Sequence, residues 1–327
     1  MKLPRRTFLH LAAGAAALPA VSRIARAQAW PTRTVRFVVG FPAGGGNDAA
    51  ARIVANRLSE IWGQQVVIEN KGGAGGKIAI ETVAHANPDG YTMLMGFPGL
   101  VTNSFLYSSL NYDPIADFAP VSMIGVYSNL LVVPNSSLVK SLQEFIVHAK
   151  ANPGKITFAS PGVGTSPHLA GELFKHRAGI ELTHVPYRGT GAGAMSDLIA
   201  GRVDAMFNTT GSVLQAARTG QVRGLAVTTA QRSANAPEFP TIAESGLPSF
   251  DVSGWYALFV PAKTSPDIVK KMNVDMVALL REPAIKARFE PLGLTVAGSS
   301  PDALGARVRA EFELWGPLIK AANIKGE

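Results

Sequence analysis

The stretch FVVGFPAGGGNDAAARIVANRL, residues 37–58, passes from a β-branched run through a glycine-rich turn into an amphipathic segment. Asn47 and Asp48 are both good N-cap residues, and apolar side chains then recur at helical spacing until Gly63 ends the helix. The first N–H groups of a helix lack partners within it and lie at the positive end of its dipole. We therefore predict an anion site at this turn, for a pyrophosphate, a phosphate or a carboxylate.

Short β-rich runs alternate with helical stretches along the whole chain, which predicts an α/β fold with parallel sheets covered by helices. Strands at 34–39, 65–69 and 91–96, with two helices between them, form half of a doubly wound domain. A second half of the same style begins at LLVVP, residues 130–134. We expect two such lobes, 28–127 plus 252–327 and 128–251, with a ligand in the cleft between them.

The first 30 residues, MKLPRRTFLHLAAGAAALPAVSRIARAQAW, have a basic start, an apolar run and the small-residue motif Ala25-Arg26-Ala27. This pattern is typical of an export signal cleaved after Ala27, so we predict a signal peptide over 1–27. The apolar run is too short for a membrane span, which needs about 20 residues. Arg5-Arg6 also fits a twin-arginine signal, so either export route remains open.

Charge and cysteine content limit the class of partner. Five basic residues and no acidic residue lie in the signal, so cleavage lowers the formal net charge from +8 to +3. That mild charge favours small anions over nucleic acid, and no basic block with interleaved aromatic residues is present. The chain contains no cysteine, so neither a disulfide nor a lipid-modified cysteine can be formed. We expect a soluble periplasmic monomer.

A dinucleotide site is the alternative interpretation of the first turn. Gly44-x-Gly46-x-x-Ala49 fits the dinucleotide fingerprint, and Glu69 ends the second strand where a ribose-binding acid would lie. The turn is longer than in dinucleotide folds, however, and Pro42 removes one donor. An exported NAD(P)-dependent oxidoreductase therefore stays as the alternative function.

A second glycine turn repeats the first. The stretch SPGVGTSPHLAGELF, residues 160–174, runs from a strand through a glycine turn to Thr165 and Ser166 at a helix start, followed by Pro167. Proline is favoured in the first helical turn. Two helix N-termini, one from each lobe, are thus expected to face each other across the cleft.

These turns belong to a series of phrases in a fixed order that spans nearly all of residues 30–322. The phrases are FPAGGGNDAAAR, IENKGGAGG, NPDGYTML, LNYDPIADFAPV, GTSPHLAGELFK, HVPYRG, DLIAGRVDAMF, GLAVTT, FPTIAESG and GWYALFVPAKT. In this series the chain resembles the solute receptors of tripartite tricarboxylate transporters, the Bug proteins. The resemblance implies a two-lobed periplasmic binding protein with a type II-like clamshell fold, which binds a carboxylate without a cofactor and delivers it to a membrane transporter.

The resemblance also implies which residues bind the ligand. In the first lobe these are Phe41, Pro42, Ala43, Gly44, Gly45, Asn47 and Asp48, and in the second lobe Ser160, Gly162, Gly164, Thr165 and Ser166. The loop after the third strand adds Phe97, Gly99 and Asn103, and it departs from the family's usual Gly-Thr-His-rich version. Phe41, Phe97 and Leu100 either line an apolar slot for a longer or aromatic acid, or Phe97 and Leu100 pack in the core between the lobes. A di- or tricarboxylate, an aromatic acid and an acidic amino acid all remain open as ligands.

Other polar residues allow two interpretations each. His168 either tightens the helix start or contacts the ligand, and Asp204 either faces a ligand amino group or bonds a loop. Arg52 and Arg188 are solvated or structural, or neutralise a second carboxylate. Trp255 is expected at the hinge or the cleft wall.

Metal binding and catalysis lack a suitable set of residues. His168, Glu172 and His176 share one helical face but span two turns, which is too far for one metal ion, even with His184 downstream. No nucleophile, base and orienting group form an evident set. We predict no metal, no cofactor and no enzymatic activity.

Overall fold

The computed structural model describes residues 30–187, 192–321 and 323–326. Its strands are β1 (Val35–Val39), β2 (Val66–Asn70), β3 (Thr92–Gly96), β4 (Phe118–Pro134), β5 (Thr157–Ser160), β6 (Thr183–Pro186), β7 (Ala205–Thr209), β8 (Val222–Val227), β9 (Ser253–Pro261) and β10 (Leu294–Val296). Its helices are α1 (Gly46–Trp62), α2 (Lys77–Ala84), α3 (Gly99–Leu106), α4 (Leu142–Ala151), α5 (Ser166–Ala178), α6 (Ala192–Ile199), α7 (Thr210–Arg218), α8 (Pro266–Arg281), α9 (Pro283–Phe289) and α10 (Pro301–Ala321). The predicted signal peptide, its predicted cleavage site and Arg188 lie outside the described residues.

The strands form two α/β lobes. In the first lobe β1 pairs in parallel with β2 and with β3, and in the second lobe β5 pairs in parallel with β6 and with β7. Helices flank these sheets, as the alternating pattern predicts. No helix in the described part of the chain is long and apolar enough to cross a membrane.

Two antiparallel strands connect the lobes, and here the prediction of purely parallel sheets is wrong. β9 runs antiparallel to β3 and to β4. β4 pairs with β9 over Phe118–Ser128 and then with β7 from Asn129, so one strand of 17 residues enters both lobes. Long apolar runs indicate buried strands, but they carry no information about strand direction.

Local signals explain most of the helix boundaries. Gly63 ends α1 with φ +61°, and the Ser141 hydroxyl accepts the Glu144 N–H at 3.2 Å in the predicted capping position. The start of α1 differs from the prediction, because its N-cap is Gly45 and neither Asn47 nor Asp48 has that role. Residues 97–103 were expected to form the loop after β3, but α3 begins within them, at Gly99. β4 begins at Phe118, well before the strand expected at 130–134.

The apolar core is divided between the lobes. One cluster fills the first lobe, with Phe37 and Phe259 at full burial, and two clusters cover the sheet of the second lobe. α10 contributes Leu304 to the first cluster and Trp315 to a second-lobe cluster. The C-terminal helix therefore packs against both lobes.

Candidate functional site

Two helices begin at the cleft, one in each lobe. The first hydrogen bond of α1 runs from the Ala49 N–H to the Gly45 carbonyl at 2.8 Å, and that of α5 runs from the Leu169 N–H to the Thr165 carbonyl at 3.0 Å. The N–H groups that precede these bonds have no partner within their helices. Both helix starts therefore offer donors and a positive dipole end to the same space.

A cavity of about 60 Å³, here called the inner cavity, lies between these helix starts. It is lined by Phe41, Gly45, Gly46, Asn47, Phe97, Tyr127, Pro161, Thr165, Ser166, Pro167, Asn208, Thr209, Ser212 and Tyr256. None of these lining residues carries a formal charge. The space holds only a few water molecules or a small head group.

Asn47 is the polar residue of the inner cavity whose side chain lacks a partner. Its exposed fraction is 4%, and neither amide atom makes a hydrogen bond to any described residue. Buried amides are almost always paired, because an unpaired group keeps the full cost of its desolvation. The Asn47 amide is therefore available to hydrogen-bond a molecule bound in this cavity.

A third helix start reaches the inner cavity. Thr209 is the N-cap of α7, its N–H donates to the Asn208 side chain at 2.8 Å, and its hydroxyl lies 2.8 Å from that of Ser212. These three residues were not among the site residues predicted from the sequence. The signal was present, since NTTGS follows the strand VDAMF in the same strand-to-helix arrangement as the two glycine turns.

The back wall of the inner cavity comes from the crossing strands. Tyr127 of β4 and Tyr256 of β9 lie with ring centroids 4.7 Å apart, and both are buried. Burial raises the pKa of Tyr127 to about 12 and the pKa of Tyr256 well above its usual value, so both hydroxyls stay protonated. Trp255 faces the opposite side of β9, where its indole N–H donates to Glu311 at 2.8 Å.

The structure brings six of the predicted site residues to the inner cavity: Phe41, Gly45, Asn47, Phe97, Thr165 and Ser166. Phe41 and Phe97 contact each other edge to face at 4.9 Å. Leu100 is fully buried in the first-lobe core and does not line the cavity. Phe97 belongs to the same first-lobe core cluster and also lines the inner cavity.

Other predicted residues lie around the inner cavity. Pro42 and Gly162 line an outer cavity of about 810 Å³, which shares Phe41 and Pro161 with the lining of the inner cavity. Gly44 lines a smaller neighbouring cavity of about 140 Å³. Ala43 is exposed and lines none of these three cavities.

Two predicted residues of α3 lie beneath the cleft. A Cβ on Gly99 would lie 2.2 Å from the Phe97 ring, so this glycine allows Phe97 to fold back against the helix. Asn103 is fully buried, and a Cβ on Gly164 would lie 3.0 Å from its amide oxygen. Neither residue lines the inner cavity.

Asp204 is remote from the inner cavity. Its carboxylate accepts the Thr157 N–H at 2.8 Å and the Thr157 hydroxyl at 2.7 Å, which holds the start of β5. Asp204 therefore bonds the first residue of β5 rather than a loop, and it does not line the inner cavity.

Asp48 is buried at the first-lobe turn with its oxygens occupied. It accepts the Gly44 N–H at 2.9 Å, the Arg52 Nε–H at 2.8 Å and the Asn70 amide at 2.9 Å. Burial opposes ionisation of Asp48, but these hydrogen bonds and the charge of Arg52 outweigh it and lower its pKa. Asp48 is therefore an ionised support of the turn.

Ser160, His168 and His184 form a cluster behind the second-lobe turn. His168 Nδ1 accepts the Gly164 N–H at 3.1 Å, and His184 Nε2 lies 2.7 Å from the Ser160 hydroxyl. The two rings are tilted by 31° with centroids 4.3 Å apart. Burial lowers the pKa of His168 to about 3 and that of His184 to about 4, so both rings are neutral at pH 7.

Metal and dinucleotide sites gain no support. No group of three metal-ligating side chains occurs among the described residues. Glu69, the acid expected to bind ribose, instead accepts the Arg36 Nε–H at 2.8 Å, and the inner cavity is far smaller than a dinucleotide.

Comparison with known proteins shows the family to which the chain belongs. Residues 50–324 match the family model for the tripartite tricarboxylate transporter family receptor. The chain belongs to this family, and the resemblance drawn from its motifs is confirmed.

The chain is also similar over most of its length to individual proteins and solved structures. A protein from the tcbD-tcbE intergenic region of Pseudomonas sp. strain P51 is 42% identical over 91% of this chain and 89% of its own length. The solved structure of Rhodopseudomonas palustris Rpa4515 with adipate is 38% identical, with a TM-score of 0.86, covering 90% of this chain and 99% of that one. MatC from the same organism, solved with bound malate, is 32% identical with a TM-score of 0.82, covering 89% and 100%.

Proposed function

We propose that this protein is a periplasmic receptor that binds one carboxylate group of an organic acid in the inner cavity and is not an enzyme. The observation that carries the proposal is Asn47, a buried and unpaired amide at a helix start in a cavity without charged side chains. A carboxylate supplies acceptors for this amide and for the helix N–H groups, and needs no arginine. The adipate and malate bound by two relatives are acids of the expected kind.

In this proposal each lobe contributes helix starts that contact the ligand. Residues 28–127 with 252–327 form the first lobe and carry α1, and residues 128–251 form the second lobe and carry α5 and α7. Because the ligand contacts helix starts from both lobes, it favours the closed arrangement by its higher affinity for that arrangement. The closed receptor then presents the acid to a tripartite tricarboxylate-type membrane transporter.

The volumes of the two cavities indicate which part of the ligand each one would hold. The inner cavity accepts the carboxylate, and the outer cavity of about 810 Å³ accepts the remainder of the molecule. Phe41 and Pro161, which border both, form the passage. The two cavities together fit an acid in which a linear chain or a ring follows the carboxylate.

The experiment is a thermal-shift screen of the protein purified from the periplasm after expression of the full chain. The probes are adipate, malate, citrate, benzoate, glutamate and NAD, with dimethyl adipate as the uncharged control. A ligand at 100 times its Kd stabilises the native state by about 2.7 kcal/mol, which raises the midpoint measurably. We expect at least one acid to raise the midpoint and the ester to leave it unchanged. A shift with NAD alone, or an equal shift with acid and ester, contradicts the proposal.

A further inference from the structure

The two glycine turns share a feature that ligand contact does not explain. In each, a glycine with positive φ stands just before the N-cap and donates its N–H to the side chain four residues later. Gly44, with φ +87°, donates to Asp48 at 2.9 Å, and Gly164, with φ +79°, donates to His168 at 3.1 Å. The turns have the same geometry although their acceptors differ.

This contact resembles the second half of a capping box. In a capping box, a glutamate or glutamine in the third helical position reaches back to accept an N–H at the helix start. Asp48 and His168 both occupy the third helical position, after the N-caps Gly45 and Thr165. Each side chain therefore fixes the direction of its turn and, with it, the direction of the free N–H groups.

An acceptor at this position presents an electrostatic problem if the helix start binds an anion. A carboxylate there places a negative charge within a few ångströms of the ligand and opposes it. In the first lobe the Asp48 charge is paired with Arg52, whose Nε lies 2.8 Å from Oδ2. In the second lobe the acceptor is an imidazole, which is uncharged.

The hydrogen bond to His168 also defines its tautomer. Because Nδ1 accepts the Gly164 N–H, it carries no proton, and the proton of the neutral ring is on Nε2. The titratable groups around this ring are His184 from β6, with Glu172 and Lys175 from α5 itself. Protonation of Nδ1 would convert the acceptor into a donor and break the contact.

We propose that His168 and the Asp48–Arg52 pair are positioning residues, which aim the two glycine turns at the ligand while adding no net negative charge to the anion site. The proposal rests on the proposed carboxylate receptor function. It predicts that the acceptor at residue 168 matters more than the ring, and that Arg52 matters through Asp48.

The first test compares His168→Asn, whose amide oxygen can accept the Gly164 N–H, with His168→Leu, which cannot. In ligand-free protein, amide hydrogen exchange at Gly164 should be at least about tenfold faster in His168→Leu than in wild type, and close to wild type in His168→Asn. Equal exchange in all three proteins overturns the proposal. Because this measurement needs no ligand, it decides the positioning role even if the carboxylate proposal fails.

The second test measures adipate affinity by calorimetry. We expect His168→Leu to bind about tenfold more weakly or worse, and His168→Asn to recover most of the affinity. Wild type should lose affinity as the pH falls towards 4 and below, whereas His168→Asn should lack the part of this loss that comes from the ring. Wild-type affinity in His168→Leu contradicts the proposal. Failure of every acid, adipate included, to bind wild type contradicts the receptor function instead.

The third test removes the compensating charge. Arg52→Gln leaves Asp48 unpaired and should weaken adipate binding, with a larger effect at low salt because the interaction is screened. The double variant Asp48→Asn/Arg52→Gln keeps an acceptor for Gly44 without a charge and should recover affinity. If the double variant binds no better than Arg52→Gln, the charge argument is wrong.

Discussion

Replacing Asn47 with leucine should make the ligand-free protein more stable and the receptor weaker. Leucine has nearly the shape of asparagine but no polar atoms, so it removes two buried atoms that have no partner among the described residues. One unpaired buried amide group costs about 1–3 kcal/mol in the native state. At about 2 °C per kcal/mol for a chain of this size, the midpoint should rise by about 2–6 °C.

The same substitution removes a donor to the carboxylate. Hydrogen bonds to charged groups contribute about 1.5–3 kcal/mol, so the adipate Kd should rise about 10- to 150-fold. The assays are thermal melting without ligand and calorimetry with adipate. The matched control is Asn129→Leu, since Asn129 is also buried but accepts the Ser166 hydroxyl at 3.0 Å. That variant should melt lower than wild type. A lower midpoint for Asn47→Leu, or unchanged affinity, refutes the reasoning.

Three further predictions concern closure, pH and export. Gly211 of α7 packs so closely on the first lobe that a Cβ would lie 2.0 Å from the Leu292 carbonyl oxygen. The variant Gly211→Ala should therefore hold the lobes apart and weaken adipate binding. Calorimetry measures the affinity, and small-angle scattering with ligand measures the closure. Wild-type compaction in this variant would disprove the contact's role in closure. The pKa values of His168 and His184, about 3 and 4, lie below the unfolded value of about 6.5, so the unfolded chain binds more protons between these limits. Stability in urea should therefore fall as the pH drops from about 6.5 towards 4, by about 1.4 kcal/mol per unit of pKa difference at most, and the double variant with Asn at both positions should show a flatter profile. The mass of the periplasmic protein should correspond to cleavage after Ala27, and a mass that includes residues 1–27 would contradict the signal assignment.

The helix starts of the site were predictable because their signals are local. A strand followed by glycines, and then by an apolar helical pattern, identifies α1 and α5 from a few consecutive residues. The same local signal at residues 208–212 was present and was not used. Local sequence therefore contains the three helix starts that line the inner cavity.

The rest of the site depends on long-range pairing, which the sequence pattern does not encode. Tyr127 and Tyr256 meet because β4 and β9 run antiparallel between the lobes, and their register places both rings on the cavity side. Alternation along β9 then directs Trp255 to the core, so the more conspicuous aromatic residue of GWYALF is not the one that lines the inner cavity. Asn47 was predicted as an N-cap because its residue type favours that role, whereas its actual position follows from the glycine turn.

The most direct test of the carboxylate site is a crystal structure of the mature protein with the acid that the thermal-shift screen selects. We expect one carboxylate in the inner cavity, with its oxygens within about 3 Å of the Asn47 amide and of N–H groups at the starts of α1 and α5. The rest of the molecule should extend past Phe41 and Pro161 into the outer cavity. A carboxylate bound instead to an arginine or lysine side chain, with the Asn47 amide still unpaired, would contradict the proposed carboxylate site.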